Sequence, residues 1–233
     1  MKTEELIGEL ARSAAPVTPL PRPAVRFAAW AAAFVPFAVA AVLMFGPRPA
    51  LADDLGRSAF VVLAALTIAT AGLSAVAALR SSVPGLEAAA IEQAIPAVCG
   101  LAWTTWVVAL LLDGAVPSAG LLAFPVHAGC MARIFGISLL PAAVLFAMVR
   151  RAAPLNPVRS AWLSALASLA LAAAAVQFIC PIDDPAHHLE SHLLPVIVFT
   201  VIAAAIAARK YGLTEVQSTK YEVRSTDRQN NGS

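Results

Sequence analysis

The chain has 233 residues, of which 60% are hydrophobic and 13% are charged. Soluble domains carry about 25% charged residues, so this composition excludes an ordinary soluble enzyme. The formal net charge is +2 and the basic residues form no dense run, so we predict no direct nucleic-acid partner.

A polar N-terminal segment, residues 1–26, precedes the apolar part of the chain. Thr3 can cap a short helix from Glu4 to about Ser13, whose acidic first turn suits the helix dipole. Three apolar residues share one face of this helix: Leu6, Ile7 and Leu10. Prolines at positions 16, 19, 21 and 23 then predict an extended tether. A tethered helix of this kind suits either a groove on a partner protein or the membrane surface.

Five stretches without Asp, Glu, Lys or Arg are long enough to cross a bilayer core of about 30 Å as helices: 27–47, 58–79, 93–112, 160–182 and 191–208. A sixth span is predicted at 129–149, where Arg133 falls near the first turn and can reach the headgroups. The chain is therefore predicted to be an all-α polytopic membrane protein. Its six transmembrane helices occupy 27–208, and a disordered tail follows at 209–233.

Positive charge is distributed unevenly around these spans. Only three of the 16 basic residues fall on the side opposite the termini: Arg48, Arg57 and Arg133. The positive-inside rule assigns the richer side to the cytoplasm. We therefore predict that both termini are cytoplasmic and that residues 209–233 form a cytoplasmic tail.

Histidine and cysteine concentrate on the predicted outer side. Cys130 begins the fourth span and Cys180 ends the fifth, at equal distances from the turn at 154–157, so antiparallel helices would bring both to one depth. A structural disulfide, a redox- or metal-responsive thiol pair and two unrelated cysteines all remain open. Cys99, in the third span, is expected to be a small buried apolar residue.

The same region offers sulfur and imidazole donors suited to copper or zinc, although their spacing matches no zinc-finger pattern. The possible ligands are His127, Cys130, Cys180, His187 and His188, and His192 lies nearby. We predict no permanent cofactor, only a possible transient heavy-metal ion at the outer cysteines.

Two other classes of function remain as alternatives. A membrane thiol-disulfide oxidoreductase typically needs closely spaced cysteines, and the sequence has no Cys-x-x-Cys. A small-solute or metal transporter usually places ionisable residues in mid-span, and no Asp, Glu or Lys lies there. Both classes are therefore less favoured by the sequence than a binding protein.

Several local motifs resemble the NrsF family of membrane anti-sigma factors, the negative regulators of sigma-F. At the N terminus the likeness rests on Glu5-Leu6-Ile7, Leu10 and Pro16-Val17. It rests more firmly on the second half of the chain, on Cys130, the loop Arg151 to Pro157 and the run Cys180-Pro181-Ile182-Asp183-Asp184-Pro185.

This resemblance implies a binding protein of the bacterial inner membrane rather than an enzyme. The cytoplasmic N-terminal segment would hold an extracytoplasmic-function sigma factor, with Leu6, Ile7 and Leu10 as its docking face. The periplasmic Cys130 and Cys180 would sense heavy-metal or oxidative stress and release the sigma factor.

Overall fold

The computed structural model describes residues 3–13, 19–83, 90–113, 128–152 and 154–211. These ranges contain eight helices and no strand: α1 Thr3–Ser13, α2 Pro23–Phe45, α3 Leu51–Asp54, α4 Ser58–Ser81, α5 Ala90–Asp113, α6 Ala128–Arg150, α7 Pro157–Gln177 and α8 Pro185–Tyr211. The turn Leu189–Leu193 of α8 is π-helical.

Six of these helices, α2 and α4 to α8, are long and apolar enough to cross a membrane. The all-α polytopic architecture with six spans is thus confirmed. Local residues explain the helix ends. Pro157 and Pro185 open α7 and α8, and each is preceded by a cap: the Asn156 side chain accepts from the Arg159 amide, and the Asp184 side chain accepts from the Ala186 amide, both at 2.9 Å.

The centre of the transmembrane domain is α7, which packs most extensively against α4 and α6. Most of its residues are buried, and many of them are Ala or Ser, which let neighbouring helix backbones approach closely. The buried hydroxyls of Ser164 and Ser168 donate to carbonyls four residues earlier at 2.7 and 3.0 Å. These polar side chains are therefore satisfied within α7 and need no ligand.

Residues from distant parts of the chain meet at both ends of the bundle. At the first, here called the Arg26 end, the start of α2 meets the ends of α4 and α6. Arg26 is buried there, donating to Ser82 Oγ at 3.3 Å and also to the Met148 carbonyl oxygen. We call the opposite end, where Cys130 and Cys180 lie, the cysteine end.

The first span begins earlier than the hydropathy pattern indicates. The predicted start was residue 27, whereas α2 begins at Pro23 and so includes Arg26 in its first turn. A span defined as a stretch without charged residues leaves Arg26 in the preceding loop. In the structure Arg26 is buried, because its guanidinium donates hydrogen bonds to the ends of two neighbouring helices. At the other end of α2, Arg133 lies over the Phe45 ring at 5.4 Å, in keeping with its predicted place near the start of its helix.

Candidate functional site

Cys130 and Cys180 are in contact at the cysteine end. Cys130 lies in the first turn of α6, and Cys180 follows the end of α7. The Cys130 thiol donates to Cys180 Sγ at 3.3 Å, and both residues are almost fully buried. The expectation that the two cysteines reach one depth is confirmed. This contact disfavours the interpretation as two unrelated cysteines and leaves the two in which the sulfurs act together, a structural disulfide and a redox- or metal-responsive thiol pair. Cys99 lies apart in α5 and is only half-buried.

His187 adds an imidazole to this sulfur pair. Its Nε2 atom lies 3.2 Å from Cys180 Sγ, and its Nδ1 atom lies 3.4 Å from Ser191 Oγ. His187 is 1% exposed and Ser191 is completely buried. The ring is therefore oriented by contacts at both of its nitrogens.

His192 completes a group of four because of the π-helical turn. Residues five apart on an α-helix are rotated by about 140° from one another, whereas a π-turn bonds i to i+5 and returns them to one face. With the turn at Leu189–Leu193, one ligand atom each of Cys130, Cys180, His187 and His192 lies within 4.8 Å of the others. His192 is buried, and its Nε2 atom has no partner at hydrogen-bonding geometry among the described residues.

Hydrogen bonds lower the pKa of the Cys180 thiol, which lies between α7 and α8. Donation from Cys130 makes the largest contribution and His187 adds a smaller one, although burial opposes the shift. The thiolate is the nucleophile and the metal ligand in cysteine chemistry. The arrangement therefore favours reaction at Cys180.

The structure redistributes the predicted histidine ligands. His187 belongs to the four-residue group, while His188 does not, and His192 joins it instead. The His188 ring packs edge-on against the His192 ring at 4.8 Å between centroids and lines a cavity of about 90 Å³ with Asp183 and Arg57. His127 lies outside the described residues. The His192 position could not be read from the sequence, since helical spacing pairs residue 192 with residue 188.

A network of charged side chains that the sequence does not reveal stabilises the cysteine end. Arg48 Nε lies 2.5 Å from Asp54 Oδ2, and both side chains are buried. Arg57 pairs with the other Asp54 oxygen at 2.6 Å and with Asp183, three residues after Cys180. The Arg48 amide also donates to the Phe178 carbonyl oxygen at 2.9 Å. These contacts fix the segment that carries Cys180 against the loop between α2 and α4.

The predicted N-terminal helix is present as α1, with Glu4 and Glu5 in its first turn and Arg12 in its last. None of its residues, all of which the structure describes, is buried. The three apolar side chains of the predicted docking face are exposed: Leu6 by 41%, Ile7 by 61% and Leu10 by 59%. The helix that precedes the first span therefore has an apolar face exposed to solvent.

These observations define a class: a polytopic helical membrane protein with a buried thiol and imidazole cluster at one end and an exposed amphipathic helix ahead of its first span. The chain belongs to the NrsF family, whose description is negative regulator of sigma F and whose model matches residues 10–210. The match includes Leu10, Cys130 and Cys180. Comparisons with curated proteins and with solved structures found no match. The chain is therefore a multi-pass membrane protein that negatively regulates a sigma factor.

Proposed function

We propose that this protein holds an extracytoplasmic-function sigma factor at the bacterial inner membrane through α1 and releases it when Cys130 and Cys180 sense heavy-metal or oxidative stress. The observation that carries the proposal is the exposed apolar face of α1 in a member of a sigma-factor regulator family. An amphipathic helix commonly binds by laying its apolar face into a hydrophobic groove.

The distribution of positive charge supports a cytoplasmic position for α1. Among the described residues of the transmembrane domain and its borders, the cysteine end carries three basic residues, Arg48, Arg57 and Arg133, and the other basic residues lie toward the Arg26 end: Arg22, Arg26, Arg80, Arg150, Arg151, Arg159, Arg209 and Lys210. The positive-inside rule then assigns the Arg26 end to the cytoplasm, where a sigma factor works, and the cysteine end to the oxidising periplasm.

Ile7→Glu is expected to weaken sigma-factor capture by roughly 30-fold in Kd, the equivalent of roughly 2 kcal/mol for one interface anchor. The change places a charge at the most exposed apolar position of the face. Capture is measured by isolating the tagged full chain from its native cells in mild detergent and quantifying co-purified sigma factors by mass spectrometry.

Gly8→Glu is the matched control, because it adds the same charge on the opposite face of α1. The Cβ atom of a residue at position 8 would meet only the end of the Arg12 side chain, at 3.9 Å. Full capture by Gly8→Glu beside lost capture by Ile7→Glu supports the docking face. Undiminished capture by Ile7→Glu would show that the sigma factor binds elsewhere than on this face of α1.

The sulfur pair is suited to both kinds of stress. With hydrogen peroxide, two thiols form one disulfide, lose two electrons and two protons, and reduce the peroxide to two waters. With a soft divalent cation, the two thiols lose their protons and bind the metal as thiolates. Both reactions change the contact between α6 and the segment that follows α7.

We infer that α6 connects this contact to the docking helix. Cys130 lies at one end of α6, and near its other end the Met148 carbonyl oxygen accepts from Arg26 of α2. Trp30 makes a second connection, since its indole Nε1 donates to the Pro141 carbonyl oxygen at 3.2 Å. The start of α2, which carries the tether and α1, is thus bonded to the helix that carries Cys130.

Arg26→Gln is expected to reduce stress-induced release of the sigma factor while leaving capture by unstressed cells unchanged. The shorter, neutral side chain loses the contact with Met148 but does not touch α1 or the cysteines. The measurement is the ratio of sigma-dependent reporter transcription with and without cadmium in the medium. Arg22→Gln, at an exposed position just before α2, is the control and should respond like the wild type. A normal response from Arg26→Gln would exclude this connection.

A membrane thiol-disulfide oxidoreductase is the second candidate, favoured by the 3.3 Å approach of the two sulfurs. Such an enzyme would pass the electrons of the dithiol to a quinone. Quinone reduction by the purified, reduced protein would support this candidate, whereas co-purification of a sigma factor without quinone reduction supports the regulator.

A further inference from the structure

We propose that Cys130, Cys180, His187 and His192 together form a four-ligand site for a borderline or soft divalent cation of the Zn²⁺ and Cd²⁺ class. The inference rests on the proposed function in one respect, since it uses the same two cysteines. It goes further in assigning two histidine ligands and the chemical class of the ion.

The spacing of the four ligand atoms is close to that of a tetrahedral site. With metal–sulfur bonds of about 2.3 Å and metal–nitrogen bonds of about 2.0 to 2.1 Å, a tetrahedral site puts two sulfurs about 3.8 Å apart and a sulfur and a nitrogen about 3.5 Å apart. The two sulfurs are separated by 3.3 Å, and Cys180 Sγ is 3.2 Å from His187 Nε2. All four atoms lie within 4.8 Å of one another, so adjustments of side-chain rotamers complete the geometry.

Each histidine has a ring nitrogen placed to bind a metal. The Nε2 atom of His187 faces Cys180, and the Ser191 hydroxyl beside Nδ1 can accept a proton from that nitrogen once Nε2 binds the ion, the usual way in which a second contact orients a ligating imidazole. His192 is 3% exposed, and among the described residues its Nε2 atom has no hydrogen-bond partner. A buried nitrogen without a partner is costly, and a metal ion would satisfy it.

The composition of the group selects the ion. Two sulfurs and two imidazole nitrogens favour zinc, cadmium or copper over Mg²⁺ and Ca²⁺, which take oxygen ligands, and no described carboxylate belongs to the group. Loss of two thiol protons on binding gives a neutral cluster, which a buried site tolerates better than a net charge.

The test is a titration of the purified full chain in detergent with Co²⁺, under a phosphine reductant that keeps the thiols free. One equivalent of Co²⁺ should bind with sulfur-to-metal charge-transfer absorption and with the ligand-field bands of a four-coordinate ion. His187→Gln and His192→Gln should each weaken binding by at least about 10-fold, the lower bound for losing even an outer-shell partner. His188→Gln is the matched control, since that residue is buried in the same turn but lies outside the group, and its affinity should equal that of the wild type.

Several results would overturn the proposal: no binding by the wild type, a six-coordinate spectrum, or wild-type affinity in both His187→Gln and His192→Gln. X-ray absorption of the Zn²⁺-loaded wild type gives a second measurement that needs no variant to fold. Two sulfur and two nitrogen neighbours are expected there, and sulfur ligands without imidazole would exclude the histidines. If only the histidines prove not to be ligands, the proposal that Cys130 and Cys180 sense stress is unaffected. If the four-ligand site binds metal but binding does not release the sigma factor, the metal site is retained and the sensing role is excluded.

Discussion

Cys130→Ser and Cys180→Ser are each expected to abolish stress-induced release of the sigma factor, bringing reporter output in stressed cells down to the unstressed level. Both stimuli need two sulfurs: a disulfide cannot form with one, and a serine hydroxyl is a poor ligand for soft cations. Capture by unstressed cells should persist, because the cysteines lie at the opposite end of the bundle from the start of α2, the helix that follows α1 in the chain. The measurement is sigma-dependent transcription in cells exposed separately to cadmium and to hydrogen peroxide.

Cys99→Ser is the control for this experiment, since Cys99 is half-buried in α5 and away from the sulfur pair. It removes one thiol from the chain without touching the site and should leave both responses intact. A full response to cadmium and to peroxide in Cys130→Ser or Cys180→Ser would remove the sensing role. A response lost for one stimulus only would identify which of the two the sulfur pair detects.

Asp54→Ala is expected to lower the free energy of unfolding by about 3 to 5 kcal/mol, the usual cost of removing one partner from a buried ion pair. Asp54 is 3% exposed and pairs with Arg48, which is 4% exposed, and with Arg57. Without Asp54, the Arg48 guanidinium is left buried beside the Phe60 ring, with Asp183 at 3.6 Å as its remaining carboxylate neighbour.

The neighbouring Asp53→Ala provides the comparison, because Asp53 belongs to the same short helix α3 but is exposed. It should change stability by no more than about 0.5 kcal/mol. Unfolding is followed by SDS titration of the purified protein in mixed micelles. Equal stability of the two variants would show that the Arg48–Asp54 pair does not stabilise the fold.

The spans and α1 could be predicted because their signals are local. A bilayer accepts only helices with satisfied backbones, so about 20 apolar residues without charge are enough to predict a span. The helix signals around α1 likewise lie within a few residues of one another. The contact between Cys130 and Cys180 followed from one further step, the equal spacing of the two residues from the turn at 154–157.

Other features depend on departures from regular geometry or on partners distant in sequence. His192 replaces His188 in the cluster because a single π-turn rotates the face of α8, and a helical wheel assumes no such turn. Arg26 is buried because Met148, far along the chain, accepts its hydrogen bond. From the sequence, Arg48 and Asp54 are predicted to be exposed loop residues. They are buried because the segments that follow α2 and α7 pack together in the structure.

The sequence by itself therefore determined that this chain is a membrane protein with six spans, an amphipathic N-terminal helix, and Cys130 and Cys180 at one depth, since hydropathy and helical period are properties of consecutive residues. Only the tertiary structure decided which imidazoles join the sulfurs and which charges are buried. Those outcomes depend on distances of a few ångströms between side chains that separate helices bring together.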